Sequence, residues 1–245
     1  MWTGKPERAA CEAISCAARF SFHSKLRFYE MKNAPRGSHC GRLEDVAEAT
    51  RRKSEENKMK KILFIDACAR PESRTRRLAR HVLEQLQGEN VKVQLYEEEQ
   101  LLPLNNDRLQ RRNGYVAAGD FAEEIFRYAR QFAQADEIVI AAPYWDLLFP
   151  AVLRTYLELV TVTGVTFYYT PEGVPKGMCR AGRIIYVTTA GGPIGANNFG
   201  YDYVKALADT FYSIPETVCV KAENLDIVGA DPEMILKDTM DNIHI

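Results

Sequence analysis

Short apolar runs alternate along the chain with segments whose apolar residues recur every three to four positions. The apolar runs predict strands at 61–66, 91–95, 137–142, 183–189 and 217–222. Three of them are apolar on both faces, which is typical of strands buried on both sides of a parallel sheet. The segments between them have a helical period and serve as crossovers. The alternation predicts an α/β fold, a doubly wound five-stranded parallel sheet with helices on both faces.

The helical periods predict helices at 74–87, 121–132, 151–162, 201–211 and 231–240, with a further helical piece near 107–115. Ser73 is expected to cap the first of these helices, because its side chain can accept a hydrogen bond from a free backbone amide. Asp231 is expected to cap the last helix, which has Pro232 at its first position. The aromatic segment 164–170 is β-prone, and we expect a flap or hairpin there with 171–177 as its turn.

Residues 1–58 do not share this alternation. They carry twelve Lys/Arg and eight Asp/Glu, a net charge of +4, which leaves −5 for the remainder because the whole chain carries −1. The segment lacks the apolar core of a secretory signal, and its acidic residues argue against a mitochondrial presequence.

We interpret residues 1–58 as a non-native or disordered N-terminal extension and 59–245 as the domain, with Met59 as the expected translation start. A functional N-terminal domain is the less favoured alternative. The intact mass of protein made from the native gene tests this interpretation, because a product that keeps residues 1–58 would contradict a start at Met59.

Composition narrows the class of function. A net charge of −1 over 245 residues gives no electrostatic reason to expect nucleic acid, and no apolar run approaches the ~20 residues of a membrane span. The six cysteines form no CxxC pair, and the four histidines lack metal spacing, so neither a zinc site nor a dithiol motif is indicated. We expect a cytoplasmic protein with reduced cysteines and no metal, nucleic-acid or membrane partner.

The loop 69–75, which follows the first strand, has the composition of an anion site. Ser73 and Thr75 offer hydroxyl groups, Arg70 or Arg74 offers a guanidinium, and the start of the next helix offers free amides, all of which suit a terminal phosphate. The GxGxxG and GxxxxGK[ST] motifs are absent, so a dinucleotide fingerprint and a triphosphatase loop are both unsupported. An ordinary helix cap with solvated arginines explains this loop equally well when it is taken alone.

Two later loops also leave the carboxyl ends of predicted strands. The first holds Pro143, Tyr144, Trp145, Asp146 and Leu147, and the second holds Thr189, Ala190, Gly191 and Gly192. Ligands of doubly wound sheets bind beyond these strand ends, so we expect the three loops to converge on one site. The aromatic residues favour a planar ligand, and the glycines allow backbone amides to approach it closely. The alternatives are that the aromatics cap the core edge and that the glycines are a flexible connection.

In this order, the three loops resemble those of the FMN-dependent NAD(P)H:quinone oxidoreductases and azoreductases, a family with a flavodoxin-like fold and strand order 2-1-3-4-5. The resemblance covers 60–242. Ser73-Arg74-Thr75 matches the family's FMN-phosphate loop, 143–147 its Pro-[Met/Leu]-[Tyr/Trp]-Asn-Phe flavin loop, 163–167 its Gly-Val-Thr-Phe stretch, and 188–192 its Thr-Ser-Arg-Gly-Gly.

The resemblance implies that FMN is bound, tightly but not covalently, by Cys68, Arg70, Ser73, Arg74, Thr75, Pro143, Tyr144, Trp145, Asp146, Leu147, Thr189, Ala190, Gly191 and Gly192. Four of these positions depart from the family pattern: Asp146 stands for Asn, Leu147 for an aromatic residue, Ala190 for a common Arg, and Cys68 for a frequent Ser. Asp146 replaces an amide donor by an acceptor. The choice of NADH or NADPH and the range of acceptors are therefore open.

The implied activity is a two-electron transfer from NAD(P)H through FMN to a quinone, azo or nitro compound by ping-pong exchange. The flavin is the reactive centre, and no catalytic side chain is compelling. In the family two subunits share each site, so we expect a homodimer, with Phe167 and Tyr168 in the substrate pocket. A place for these aromatics in the core or in the dimer interface is an equally favoured alternative. Two alternatives stay open: an FMN-binding electron carrier with protein partners, and a flavin-free regulatory or binding module.

Overall fold

Five parallel strands form the central sheet of the computed structural model, which describes residues 59–245. In chain order the strands are β1 (Lys61–Asp66), β2 (Glu89–Gln94), β3 (Glu137–Ala141), β4 (Phe167–Tyr169), β5 (Pro175–Gly177), β6 (Arg183–Thr189) and β7 (Glu216–Ala222). The sheet has the order β2-β1-β3-β6-β7, and every neighbouring pair is parallel. Counting the strands of this sheet alone gives 2-1-3-4-5, which confirms the predicted fold class.

Six α-helices connect the strands of the described part of the chain: α1 (Arg74–Gln85), α2 (Asn106–Ala118), α3 (Arg127–Gln134), α4 (Ala151–Val160), α5 (Phe199–Leu207) and α6 (Pro232–Asp241). Both predicted caps are confirmed. The side chain of Ser73 accepts from the amide of Arg76 at the start of α1, and that of Asp231 accepts from two amides of α6. Pro232 occupies the first position of α6, as expected.

Each face of the sheet packs against its own layer of helices. Leu63 and Ile65 of β1 belong to a core that includes residues of α3, α4 and α5, whereas Ile62 and Phe64 belong to a second core with residues of α1 and α6. All five residues of β3 are buried. The central strands are apolar on both faces because neither face meets solvent.

Some element boundaries differ from the sequence prediction. Helix α1 ends at Gln85 rather than at residue 87. The predicted helix 121–132 is divided into a 3-10 turn at Glu124–Phe126 and the helix α3. Helix α5 begins at Phe199 and continues into a wider, π-helical turn at Ala208–Tyr212.

The predicted hairpin is present, but part of its predicted turn is a strand. Strands β4 and β5 pair antiparallel, with Phe167 opposite Gly177. A Cβ on Gly177 would lie 2.1 Å from the carbonyl carbon of Tyr212, and the amide of Gly177 donates to Ser213 Oγ at 2.9 Å. This close approach, which only glycine permits, fixes β5 against Tyr212 and Ser213, at the end of the π-helical turn that follows α5.

The interpretation of residues 1–58 lies outside the described residues. Within 59–245, no helix is both long enough and apolar enough to cross a bilayer. The same part of the chain contains no group of His, Cys, Asp and Glu side chains arranged to hold a metal ion.

Candidate functional site

A cavity of about 320 Å³ lies where β1, β3 and β6 end. Its lining comes from the three predicted loops and from one further loop: Ala69, Arg70, Glu72, Ser73, Arg74, Thr75, Pro143, Tyr144, Trp145, Thr189, Ala190, Gly191, Leu225 and Asp226. The volume is within the range of roughly 300–1,000 Å³ that small-molecule sites occupy. The structure therefore brings together three segments that are far apart in sequence.

A larger groove, of about 590 Å³, runs along the edge strand β7 and the C-terminal residues 242–245. It is lined by the middle of the strand and by helix α6 rather than by loops at strand ends. Ligands of doubly wound sheets bind at the carboxyl ends of the strands, so the smaller cavity is the candidate site.

Direct hydrogen bonds connect the three predicted loops. The hydroxyl oxygens of Thr75 and Thr189 are 2.6 Å apart, which joins the start of α1 to the end of β6. The amide of Tyr144 donates to the carbonyl oxygen of Thr189 at 3.0 Å, and its hydroxyl donates to the carbonyl oxygen of Asn197 at 3.0 Å. Tyr144 therefore holds the second loop against the third through both its backbone amide and its side-chain hydroxyl.

The fourth loop, after β7, was missed by sequence analysis. The amide of Asp226 donates to the carbonyl oxygen of Gly191 at 2.9 Å, and that of Leu225 donates to Ala190 at 3.2 Å. A Cβ on Gly191 would lie 2.5 Å from a carboxylate oxygen of Asp226, so a larger residue there would require this side chain to move. Asp226 also accepts from Arg74 at 2.7 Å. A lone acidic residue in a loop carried no signal that could have revealed this role.

Arg76, which the sequence pattern also left unmarked, holds the first loop from within the protein. Its Nε donates to the carboxylate of Asp66 at 2.6 Å, and its two terminal nitrogens donate to the carbonyl oxygens of Cys68, Arg70 and Pro71 at 2.6–2.7 Å. Burial lowers the pKa of Arg76, but the hydrogen bond and charge of Asp66 outweigh it and the net shift is upward. The guanidinium is therefore a permanent charge beneath the loop.

Cys68 lies beneath the cavity rather than at its surface. Its side chain is buried, with the sulfur 3.7 Å from the carbonyl oxygen of Ala141. Burial raises the pKa of the thiol to about 12, so it is protonated and unreactive near neutral pH. The predicted contact of Cys68 with a cofactor stays a prediction.

The second loop contains a strained two-residue turn. Trp145 and Leu148 exchange two backbone hydrogen bonds, and the residues between them, Asp146 and Leu147, have φ angles of 49° and 69°. Type I′ turns require positive φ at both central positions, which Asp tolerates and Leu does not. Leu147 is 47% exposed and Trp145 41%, so the turn projects from the rim of the cavity.

Several predicted site residues lie outside the cavity lining. Asp146 and Leu147 belong to the projecting turn, and Gly192 follows the lining residues of the third loop. Phe167 is buried, with its ring 4.9 Å from that of Phe211, and Tyr168 is half-exposed on the hairpin. The roles predicted for these residues, including the substrate pocket, stay predictions.

The cavity lining combines residues that suit an anion with residues that suit a flat group. Ser73, Thr75, Arg70 and Arg74 belong to the lining, and so do the acidic residues Glu72 and Asp226, the second of which is paired with Arg74. The first amides of a helix have no intrahelical acceptor, so the start of α1 adds further donors and a partial positive charge. Pro143, Tyr144 and Trp145 and the third-loop residues complete the lining.

Comparison with known proteins agrees with the family resemblance and with the observed fold. The sequence profile of a family described as having a flavodoxin-like fold matches residues 60–231. An FMN-dependent NADH:quinone oxidoreductase 2 from Clostridium acetobutylicum is 33% identical over 195 residues, which cover 75% of this chain and 96% of the relative. A relative from Lachnoclostridium phytofermentans, an FMN-dependent NADH:quinone oxidoreductase, is 36% identical over 195 residues, with 74% and 94% covered.

Among solved structures, the azoreductase from Bacillus anthracis str. Sterne superimposes with a TM-score of 0.63 at 26% identity. The superposition covers 75% of this chain and 96% of the azoreductase.

The strained turn generates a prediction about stability. Leu147→Asn should raise the free energy of unfolding by about 0.5–1 kcal/mol, because Asn adopts positive φ at less cost than Leu. Urea unfolding of the two proteins measures the change. The matched control is Leu102→Asn, since Leu102 is 49% exposed and its φ is not positive. Equal losses of stability at both positions would show that the turn stores no strain.

Proposed function

Because this chain belongs to the family of FMN-dependent NADH:quinone oxidoreductases and azoreductases, with a flavodoxin-like fold, we propose that it passes two electrons from NAD(P)H through FMN to quinone, azo or nitro compounds. The observation that supports this proposal most is the convergence of three loops on one cavity whose lining includes Ser73, Thr75, Arg70 and Arg74. A carrier or a flavin-free module would share the fold, and no observation favours either.

The donor set of the cavity fits the phosphate of FMN. Ser73 and Thr75 supply hydroxyls, Arg70 and Arg74 supply positive charge, and the start of α1 supplies amides. Arg74 also pairs with the exposed carboxylate of Asp226 at 2.7 Å, so a bound phosphate would share this guanidinium with Asp226. We assign the phosphate to this part of the cavity lining.

The rest of the cavity lining fits a planar ring. Pro143, Tyr144 and Trp145 line the cavity together with Thr189, Ala190 and Gly191. Ala190 carries no positive charge, unlike the Arg that is common at this position of the family pattern. We assign to the amides of Gly191 and Gly192 the role of offsetting negative charge at the ring.

When bound, FMN supplies the hydride chemistry, and the protein contributes binding, orientation and electrostatics. We assign no proton transfer to a side chain of the cavity. The hydroxyl of Tyr144 donates to the carbonyl oxygen of Asn197, and the carboxylate of Asp226 accepts from Arg74. Trp145 is 41% exposed at the rim of the cavity, where an accessible face of the bound ring would let donor and acceptor occupy the same place in turn. Alternate occupancy of one place is what ping-pong exchange requires.

We also propose a cytoplasmic homodimer of this flavin-binding domain, residues 59–245, in which the partner subunit completes each site. The hairpin supports this proposal because four of its apolar side chains are about half-exposed: Tyr168, Tyr169, Val174 and Met178. Contiguous exposed apolar surface of this kind usually marks an interface. Sedimentation of the flavin-loaded protein at the mass of a single chain would contradict the dimer.

The visible spectrum of the purified protein tests the proposed function directly. We expect the two absorption bands of oxidised flavin, and their loss on anaerobic addition of one equivalent of NADH or NADPH per flavin. Subsequent addition of a quinone should restore the bands with a stoichiometry of one acceptor per flavin. A carrier would keep its bands when NADH and NADPH are added, and a colourless protein that fails to bind added FMN would refute flavin binding altogether.

The phosphate assignment predicts the effect of removing both hydroxyls. Ser73→Ala with Thr75→Ala should raise the dissociation constant of FMN on the order of tenfold, because two donors to the phosphate are lost. Fluorescence titration with FMN measures it.

The control for lost capping is Asp231→Ala, which removes the cap of α6 away from the cavity. Both caps are worth about 1 kcal/mol, so both proteins should lose similar stability. If the double variant holds FMN as tightly as the control does, the first loop is not the phosphate site.

A further inference from the structure

Arg76 contacts the first loop through its backbone carbonyl groups. Its guanidinium makes four hydrogen bonds, one to Asp66 and three to backbone carbonyls, and its side chain is 7% exposed. It is absent from the residues that line the cavity, whereas its neighbours Arg74 and Thr75 are present. Arg76 is therefore placed to act on the loop and not on the ligand.

The three carbonyl groups that Arg76 binds would otherwise disturb an anion site. Carbonyl oxygens carry partial negative charge, so a loop that turned them toward the cavity would repel a phosphate. Arg76 draws the carbonyls of Cys68, Arg70 and Pro71 to itself. The amides of the loop and of the helix start then remain available for the anion.

Asp66 fixes the guanidinium and connects this arrangement to the sheet. It is the last residue of β1 and is fully buried. One carboxylate oxygen accepts from Arg76, and the other accepts from the amide of Cys68 at 3.1 Å. The same carboxylate therefore sets both the position of Arg76 and the exit of the chain from the strand.

We propose that Arg76, oriented by Asp66, is a positioning residue that holds the first loop in the conformation that receives the terminal phosphate of FMN. The inference rests on the proposed function. It predicts that Arg76 controls the part of flavin affinity that depends on the phosphate and leaves the part that depends on the ring unchanged.

The conservative substitution Arg76→Lys separates charge from geometry. Lysine keeps the positive charge, but its single ammonium group cannot span the four acceptors that the planar guanidinium reaches. The test compares dissociation constants for FMN and for riboflavin, which has the same ring and no phosphate, by fluorescence titration of the full-length protein. We expect the constant for FMN to rise on the order of tenfold and that for riboflavin to change less than about twofold.

The matched control is Arg77→Lys. Arg77 is the next residue of the same helix, and its guanidinium pairs with Glu233 of α6 at 2.7–2.8 Å on the exposed surface. This substitution should leave the ratio of the FMN and riboflavin constants unchanged. Circular dichroism and thermal unfolding of both variants report whether the fold is retained.

The outcomes separate this inference from the proposed function. If the unmodified protein binds neither flavin, both are overturned. If it binds FMN and Arg76→Lys weakens FMN and riboflavin equally, or weakens neither, only the positioning role is overturned.

A structure of the unmodified protein with FMN provides an independent test in case Arg76→Lys does not fold. The guanidinium should keep its bonds to the three carbonyls and make no contact with the phosphate. A guanidinium that turns to the phosphate would overturn the inference.

Discussion

The buried ion pair between Asp66 and Arg76 is the interaction on which the candidate site depends. Desolvation of two charges is costly, so a buried pair is by itself weak evidence of stability. This pair has additional partners, because every remaining bond of the guanidinium goes to the loop between the two residues. Loss of one partner of such a pair typically costs about 3–5 kcal/mol, since the other charge stays buried. Its principal effect here is to define the path of the chain from the sheet into the first helix.

The topology of the sheet explains why the other loops reach the same place. Strands β1, β3 and β6 are adjacent, and parallel strands direct their following loops to one edge. Thr75 and Thr189 can therefore form a hydrogen bond across 114 positions of sequence. The same edge receives the loop after β7, which brings Asp226 to Arg74. The cavity is a consequence of strand order combined with short connections.

The features that could be predicted from the sequence are those with a local signal. A few consecutive residues are enough to show that β1, β3 and β6 are apolar on both faces and that Ser73 and Asp231 cap helices. The roles of Arg76 and Asp226 depend on backbone groups and on a distant side chain, for which no residue pattern exists. The segment Pro175–Gly177 was assigned to a turn, but it pairs with β4 and also donates a hydrogen bond to Ser213, a contact between residues that are distant in sequence. The φ angles of Asp146 and Leu147 likewise follow from the backbone bonds on either side of them.

The two threonines in the cavity lining share a single bond in which either hydroxyl is able to donate. Each hydroxyl carries one proton and can also accept, so one proton is engaged between the residues and the other stays free. When Thr75 donates, the free proton belongs to Thr189, and when the direction reverses it belongs to Thr75. In either direction the pair keeps one hydroxyl proton that is not used between the two threonines, so this part of the cavity lining offers one donor whichever way the bond points.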